Sequence, residues 1–208
     1  MIDSERVGIG EDHAYEAYQE LSDFLEQTDF SKEENYKELC RRIDVQSFID
    51  FCCINIYIGN QDLSFGRNIA VWRSKVRGVG RYEDERWRWM IFDLDLAARD
   101  AKINSFDESV NDLMKESVVK NLMKNEQFKE QFKNTFLEIA EKNFDSDRVI
   151  RKLDQWSSAY KNQIIKTQCQ FVSEEYDEEL FEKYIQEIRQ FFEQRPKYIF
   201  TYLENYIK

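Results

Sequence analysis

The sequence predicts an α+β fold, predominantly α-helical with one β-hairpin, in a single domain over residues 1–208. Three observations carry this. The only proline is Pro196 and no glycine follows Gly80, so the chain beyond that point can run in long elements. Apolar residues there recur at three- and four-residue spacing: Phe128, Phe132, Phe136 and Ile139, then Val149, Leu153, Trp156 and Tyr160, then Leu180, Phe181, Tyr184, Ile185 and Ile188. Only residues 68–77 and 86–92 combine β-branched and aromatic residues around a Gly78-Val79-Gly80 turn, the pattern of a hairpin.

Taken in order, the chain is helical over 11–59, carries a loop and the hairpin over 60–95, and is helical again over 107–208. Residues 13–27 and 32–43 have helical composition, and Ser31 followed by Glu34 matches a capping box. Asp44 is a good N-cap for the run that ends at Gly59-Asn60, a C-cap pattern. Because Val45, Phe48, Ile49, Phe51, Cys52, Cys53 and Ile56 cover every face, this helix belongs at the centre of the domain. The three later stripes read as packing faces. Pro196 suits the first turn of a last helix.

Hydrophobic residues make up 42 % of the chain and aromatics 15 %, enough for a core and against disorder. A net charge of −11 argues against nucleic acid as a partner, since phosphate backbones require a basic face. No apolar run approaches membrane-spanning length, so no membrane span is expected. Cys40, Cys52, Cys53 and Cys169 form no CxxC pair and read as reduced core residues; the four tryptophans likewise read as packing. The start, Met1 to His13, shows neither a basic nor an apolar leader region. Reduced thiols suit an intracellular protein, and equally a secreted or surface-attached one whose thiols are buried and whose leader has been lost.

Elimination narrows the chemistry. His13 is the sole histidine, which excludes two-imidazole metal sites and leaves a Ser-His-Asp machine dependent on a polar terminal segment. The triplets Gly8-Ile9-Gly10 and Gly78-Val79-Gly80 lack the third glycine of a dinucleotide site and read as turns. The stretch from Asn60 to Asp95 is more informative. Folding the hairpin brings the start of its first strand beside the end of its second, so Asn68 lies near Asp93 and Asp95, with Asp62 one short loop away. Three carboxylates and an amide form an oxygen-only set suited to Mg²⁺ or Mn²⁺. On an extended strand Asp93 and Asp95 would share a face about 7 Å apart, with Leu94 turned to apolar neighbours. Taken singly, Asp93 also fits a turn cap and Asp62 a solvated loop acid; it is the joint arrangement that points to a site. From Arg67 to Arg88, seven basic residues face only Glu83, Asp84 and Glu85; they would either draw in an acidic substrate or sit solvated on an exposed hairpin.

The order of these pieces resembles a known family. Ile43 to Asp50 leading a buried helix, then Asn60-Gln61-Asp62, Asn68 opening a hairpin, Phe92-Asp93-Leu94-Asp95, and the later Arg195-Pro196 helix are similar to the CotH-type spore-coat kinases, an atypical protein-kinase-like family. The resemblance spans most of residues 13–208. It implies a protein-kinase-like C-terminal lobe, with Asp62 as catalytic-loop acid, Asn68 and Asp93 as metal ligands and Asp95 as a second ligand or its support. It also implies ATP with Mg²⁺ or Mn²⁺ in the complete protein, and a protein substrate. Asn60-Gln61-Asp62 departs from the His-Arg-Asp of ordinary kinases, and Leu94-Asp95 replaces Phe-Gly. No glycine-rich strand-turn-strand followed by a lysine precedes the helices, so a separate N-terminal lobe or upstream domain is the expected partner. The alternative implied role is a non-enzymatic coat or surface scaffold that keeps the fold.

Overall fold

The computed structural model describes the backbone of residues 2–3 and 6–7, and residues 13–63 and 68–208 in full. Gly8, Gly10, Gly66 and Arg67 lie outside the described residues. Helices dominate, as expected from the spacing. α1 (Ala14–Gln27) and α2 (Glu33–Arg42) are amphipathic and bury Leu21 and Leu25, and Tyr36 and Leu39. The Ser31–Glu34 capping box does not form. α2 starts later, with Lys32 in the N-cap position, because Ser31 is held by Asp29, whose Oδ1 accepts from both its N–H and its hydroxyl.

α3 (Val45–Tyr57) occupies the centre, with nine of its residues buried. Asp44 caps it by accepting from the Ser47 N–H at 3.2 Å. At the other end Gly59 adopts φ +63°, where a side chain would be strained and would also press on Ile103 Cγ2 at 3.1 Å. Phe48 meets Trp89 edge-on at 4.7 Å between ring centroids, and Tyr57 stacks on Phe144 at 4.6 Å.

The hairpin forms with shorter strands than the sequence pattern covers: β3 (Ala70–Trp72) pairs antiparallel with β4 (Arg88–Met90). It is not alone. Two N-terminal strands, β1 (Ile2–Asp3) and β2 (Arg6–Val7), extend it to a sheet of order β2-β1-β3-β4. Two-residue strands carry no hydrophobic alternation, and only pairing, of β1 with β3 and of β2 with β1, reveals them.

The rest is helical: short α4 (Asp112–Lys115) and α5 (Ser117–Leu122), α6 (Glu126–Glu138) running into a π-helical turn (Ile139–Asn143), α7 (Ser146–Phe171), α8 (Glu178–Gln194) and α9 (Pro196–Ile207). α6 buries Phe128, Phe132 and Phe136 against α3 as the stripe predicts. The α7 stripe is different. No residue of α7 is fully buried: Val149 and Leu153 are half-buried, Val149 against the core, while Trp156 and Tyr160 are exposed, so only the first half of that stripe packs within the chain and Trp156 does not. All four cysteines are free; Cys52 and Cys53 are buried, Cys40 and Cys169 only partly so. No helix among the described residues is long and apolar enough to cross a membrane.

Candidate functional site

The loop leaving α3 is fixed from beneath. Asn55, buried in the last turn of the helix, donates to the Phe51 carbonyl at 2.8 Å and accepts from Asn60 Nδ2 at 2.9 Å. Asn60, 1 % exposed, in turn accepts from the Asp62 N–H at 3.2 Å. Two buried amides thus hand the position of the core helix on to Asp62. Sequence reading takes Asn60 only as part of the C-cap and of the Asn60-Gln61-Asp62 motif and passes over Asn55, since an asparagine in an apolar run gives no signal until its partner is known.

Arg195 locks the same corner. Its guanidinium is fully buried without a carboxylate, and it donates to the carbonyls of Tyr57, Ile56, Ala101 and Ile103 and to Ser105 Oγ. All five N–H groups are used. Two of the acceptors, Ile56 and Tyr57, are terminal carbonyls of α3 at the negative end of the helix dipole, where Ile56 also accepts from the Gly59 N–H of the closing turn. Burial lowers its pKa to about 10.

Asn68 reaches back across the loop and donates to Asp62 twice, to its carbonyl at 3.0 Å and to its Oδ2 at 3.1 Å. Both groups are half-buried. Asp93 and Asp95 lie beyond the end of β4, exposed to solvent. They do not share a strand face: Asp93 has φ +54°, which turns the chain and puts its side chain in hydrogen-bonding contact with Asp95. Leu94 is exposed and does not face apolar neighbours, because the pleat on which that expectation rested has already ended.

The carboxyl of Asp93 is pushed above its ordinary range by partial desolvation, then by the charge of Asp95 and the contact with it, and then by Asp62. Asp62 and Asp95 therefore both act on Asp93, while Asn68 joins Asp62. Asn68, Asp93 and nearby Ala98 all have positive φ, a concentration of uncommon backbone in one corner. Among the described residues no three of His, Cys, Asp and Glu lie close enough to hold a metal ion by themselves. The donors present, two exposed carboxylates with an amide and a third acid beside them, fit a hard cation that arrives with phosphate oxygens, which is how Mg²⁺ is commonly held.

The basic hairpin is largely neutralised from within. Arg88 is buried and bonds Asp84 at 2.6 Å and Asp44 at 3.0 Å; Arg86 bonds Asp84, and Arg77 pairs with Glu85. Arg73 lies over the Trp87 ring at 4.8 Å. Gly80 donates to Glu83 Oε2 and Gly78 to the Glu83 carbonyl, so the triplet is a turn. A cavity of about 740 Å³ between α1, α2 and this end of the hairpin is lined by Arg41, Arg42, Arg73 and Arg77, but also by Glu20, Glu38 and Glu85.

A family model described as CotH kinase protein matches residues 2–199. The chain belongs to the CotH kinase protein family. The match takes in α3, the hairpin, the four polar residues at its end and Arg195, so the resemblance carried by Asn60 to Asp95 extends over nearly the whole chain. No curated protein and no solved structure matches it.

Proposed function

We propose that this CotH kinase family chain is the acid-bearing part of a kinase-like phosphotransferase that uses ATP with Mg²⁺ or Mn²⁺. The observation that supports it is the meeting of Asp62, Asn68, Asp93 and Asp95 at one end of the hairpin, with Asp93 made harder to ionise by its two acidic neighbours. Asp62, held by Asn60 and Asn68, orients the acceptor hydroxyl and takes up its proton. Asn68 fixes the carboxylate's direction and offers its side-chain oxygen toward the cation. Asp93 and Asp95 present the exposed oxygens. A divalent cation bound there supplies charge neutralisation on the phosphates. The acceptor is a protein hydroxyl, and the site belongs to the cytoplasm or the spore coat.

The sequence contains no glycine-rich nucleotide clamp with its lysine, so this chain alone is expected to transfer no measurable phosphate and to depend on a partner lobe. Calorimetric titration with ATP and Mn²⁺ tests the reading. Binding that requires both and is lost in Asp93→Asn supports it; no binding of either, by the native chain at millimolar ligand, overturns it. The second reading, a scaffold that keeps the fold without chemistry, draws on the exposed apolar face of α7 and predicts that negative result.

A further inference from the structure

The segment that leaves the acidic corner is turned back on it. The Ala97 N–H donates to the Leu94 carbonyl at 3.1 Å, closing a tight turn around Asp95, and the Ala98 N–H donates to the Ile58 carbonyl at 2.7 Å. Ile58 is the C-cap of α3, so this loop is tied to the helix end from which Asn60 and Asp62 depart. Ala98 has φ +56°, a left-handed conformation that alanine keeps only where its surroundings impose it. The next residue takes its course from that turn. Arg99 reaches back along the loop, and its Nη2 donates to the Asp95 carbonyl at 3.4 Å.

Acids flank this guanidinium in sequence, yet none takes it. Asp93, Asp95 and Asp100 lie within six residues of it, but Arg99 makes no ion pair with a carboxylate among the described residues. Asp100 Oδ1 instead accepts from the Lys102 N–H at 2.8 Å. Arg99 is exposed, which leaves the rest of its fork of donors open to solvent and to a ligand.

The charge of the corner gives such an arginine a role. One divalent cation cannot offset the carboxylates of Asp62, Asp93 and Asp95 together with a triphosphate brought to the same place. Phosphate oxygens turned away from the cation need a positive donor of their own. A guanidinium suits them, since its planar fork matches two oxygens of one phosphate and it stays charged at every working pH.

We propose that Arg99 binds the phosphate chain of the nucleotide, holding oxygens that a cation at Asp93 and Asp95 does not neutralise. This rests on the ATP-and-metal reading of the corner. It gives the chain a phosphate contact of its own, separate from any lysine of a partner lobe. Because the loop of Arg99 is anchored on Ile58, the phosphate contact and Asp62 are both positioned from the end of α3.

Calorimetry on the full chain tests this, first with Mn²⁺ alone, then with ATP or inorganic tripolyphosphate in the presence of Mn²⁺. Arg99→Ala is expected to bind both phosphate ligands about ten- to a hundredfold more weakly, and Arg99→Lys to recover part of the loss. The affinity of Arg99→Ala for Mn²⁺ alone should be unchanged or tighter, because a positive charge has left the neighbourhood of the site. Its circular dichroism should match that of the native chain. Equal affinity of the native chain and Arg99→Ala for ATP overturns this proposal and leaves the ATP-and-metal reading standing, whereas a native chain that binds no ATP overturns both. A variant that loses Mn²⁺ affinity in step with ATP affinity also overturns it, since Arg99 would then be holding the loop of Asp95. So does a loss for ATP without one for tripolyphosphate, which assigns the contact to the base or the ribose.

Discussion

Arg195 Nε donates to the carbonyl of Tyr57 at 2.7 Å, joining the start of the last helix to the end of the central one across 138 residues of sequence. The bond does more than close the chain. With the other four donations it pins the α3 terminus from which Gly59, Asn60 and Asp62 depart, so the placement of a site acid rests on an arginine that never reaches the site.

Removing that guanidinium takes a charged donor from five acceptors, of which only the Ile56 and Ile103 carbonyls keep a backbone N–H, from Gly59 and Ser105. Arg195→Met should cost on the order of 3–5 kcal/mol in urea unfolding. Arg195→Lys, with three donors on a single nitrogen, should recover only part. A loss under about 1 kcal/mol for Arg195→Met would mean that water or a local shift replaces the network.

Asp93 predicts a pH dependence of definite sign. Its pKa is raised in the folded chain by desolvation and by Asp95 and Asp62, so folding penalises its ionised form. That penalty is absent at low pH, where Asp93 is protonated folded or unfolded, and sets in as pH rises through the carboxylate range. Asp93→Asn should therefore melt higher than the native chain at neutral pH, with the difference vanishing in acid. A variant that melts lower at pH 7 would show that Asp93 is a structural cap.

Asp84 should behave in the opposite way. Arg88 and Arg86 hold its carboxyl far below the usual range, so its contribution is present at neutral pH and is lost as pH falls through that range. Asp84 is half-buried, so solvent screens part of the pair, and Asp84→Ala should cost about 1 kcal/mol at pH 7. Asp44→Ala should cost more, about 1–3 kcal/mol, because Asp44 both caps α3 and pairs with the buried Arg88. Chemical unfolding of both variants at neutral and acid pH checks the order.

Hydrogen exchange should separate the helices. Amides from Phe51 to Ile56 in α3 should be the slowest in the chain, since the helix is enclosed on every side. Those in the second half of α7 should be much faster, since none of its residues is buried. Rapid exchange in α3 would show that the domain centre lies elsewhere.

The central helix, the α6 stripe, the proline-led α9 and the hairpin were legible in the residues because each depends on local periodicity or capping. Asp44, Gly59 and Pro196 act within a turn or two of where they stand. Tertiary structure decided what local pattern leaves open. It replaced the Ser31 cap with an Asp29 turn, and it recruited two dipeptide strands whose only signature is pairing, β1 with β3 and β2 with β1. The α7 stripe looked like those of its neighbours, yet its Trp156 and Tyr160 stay in solvent, because periodicity specifies that a helix has an apolar side and not whether anything lies against it. At the site, the hairpin's order and the family resemblance pointed to Asp62, Asn68, Asp93 and Asp95. Their meeting came from a left-handed turn at Asp93, two buried asparagines and Arg195, whose hydrogen-bond partners are set by packing across the whole chain.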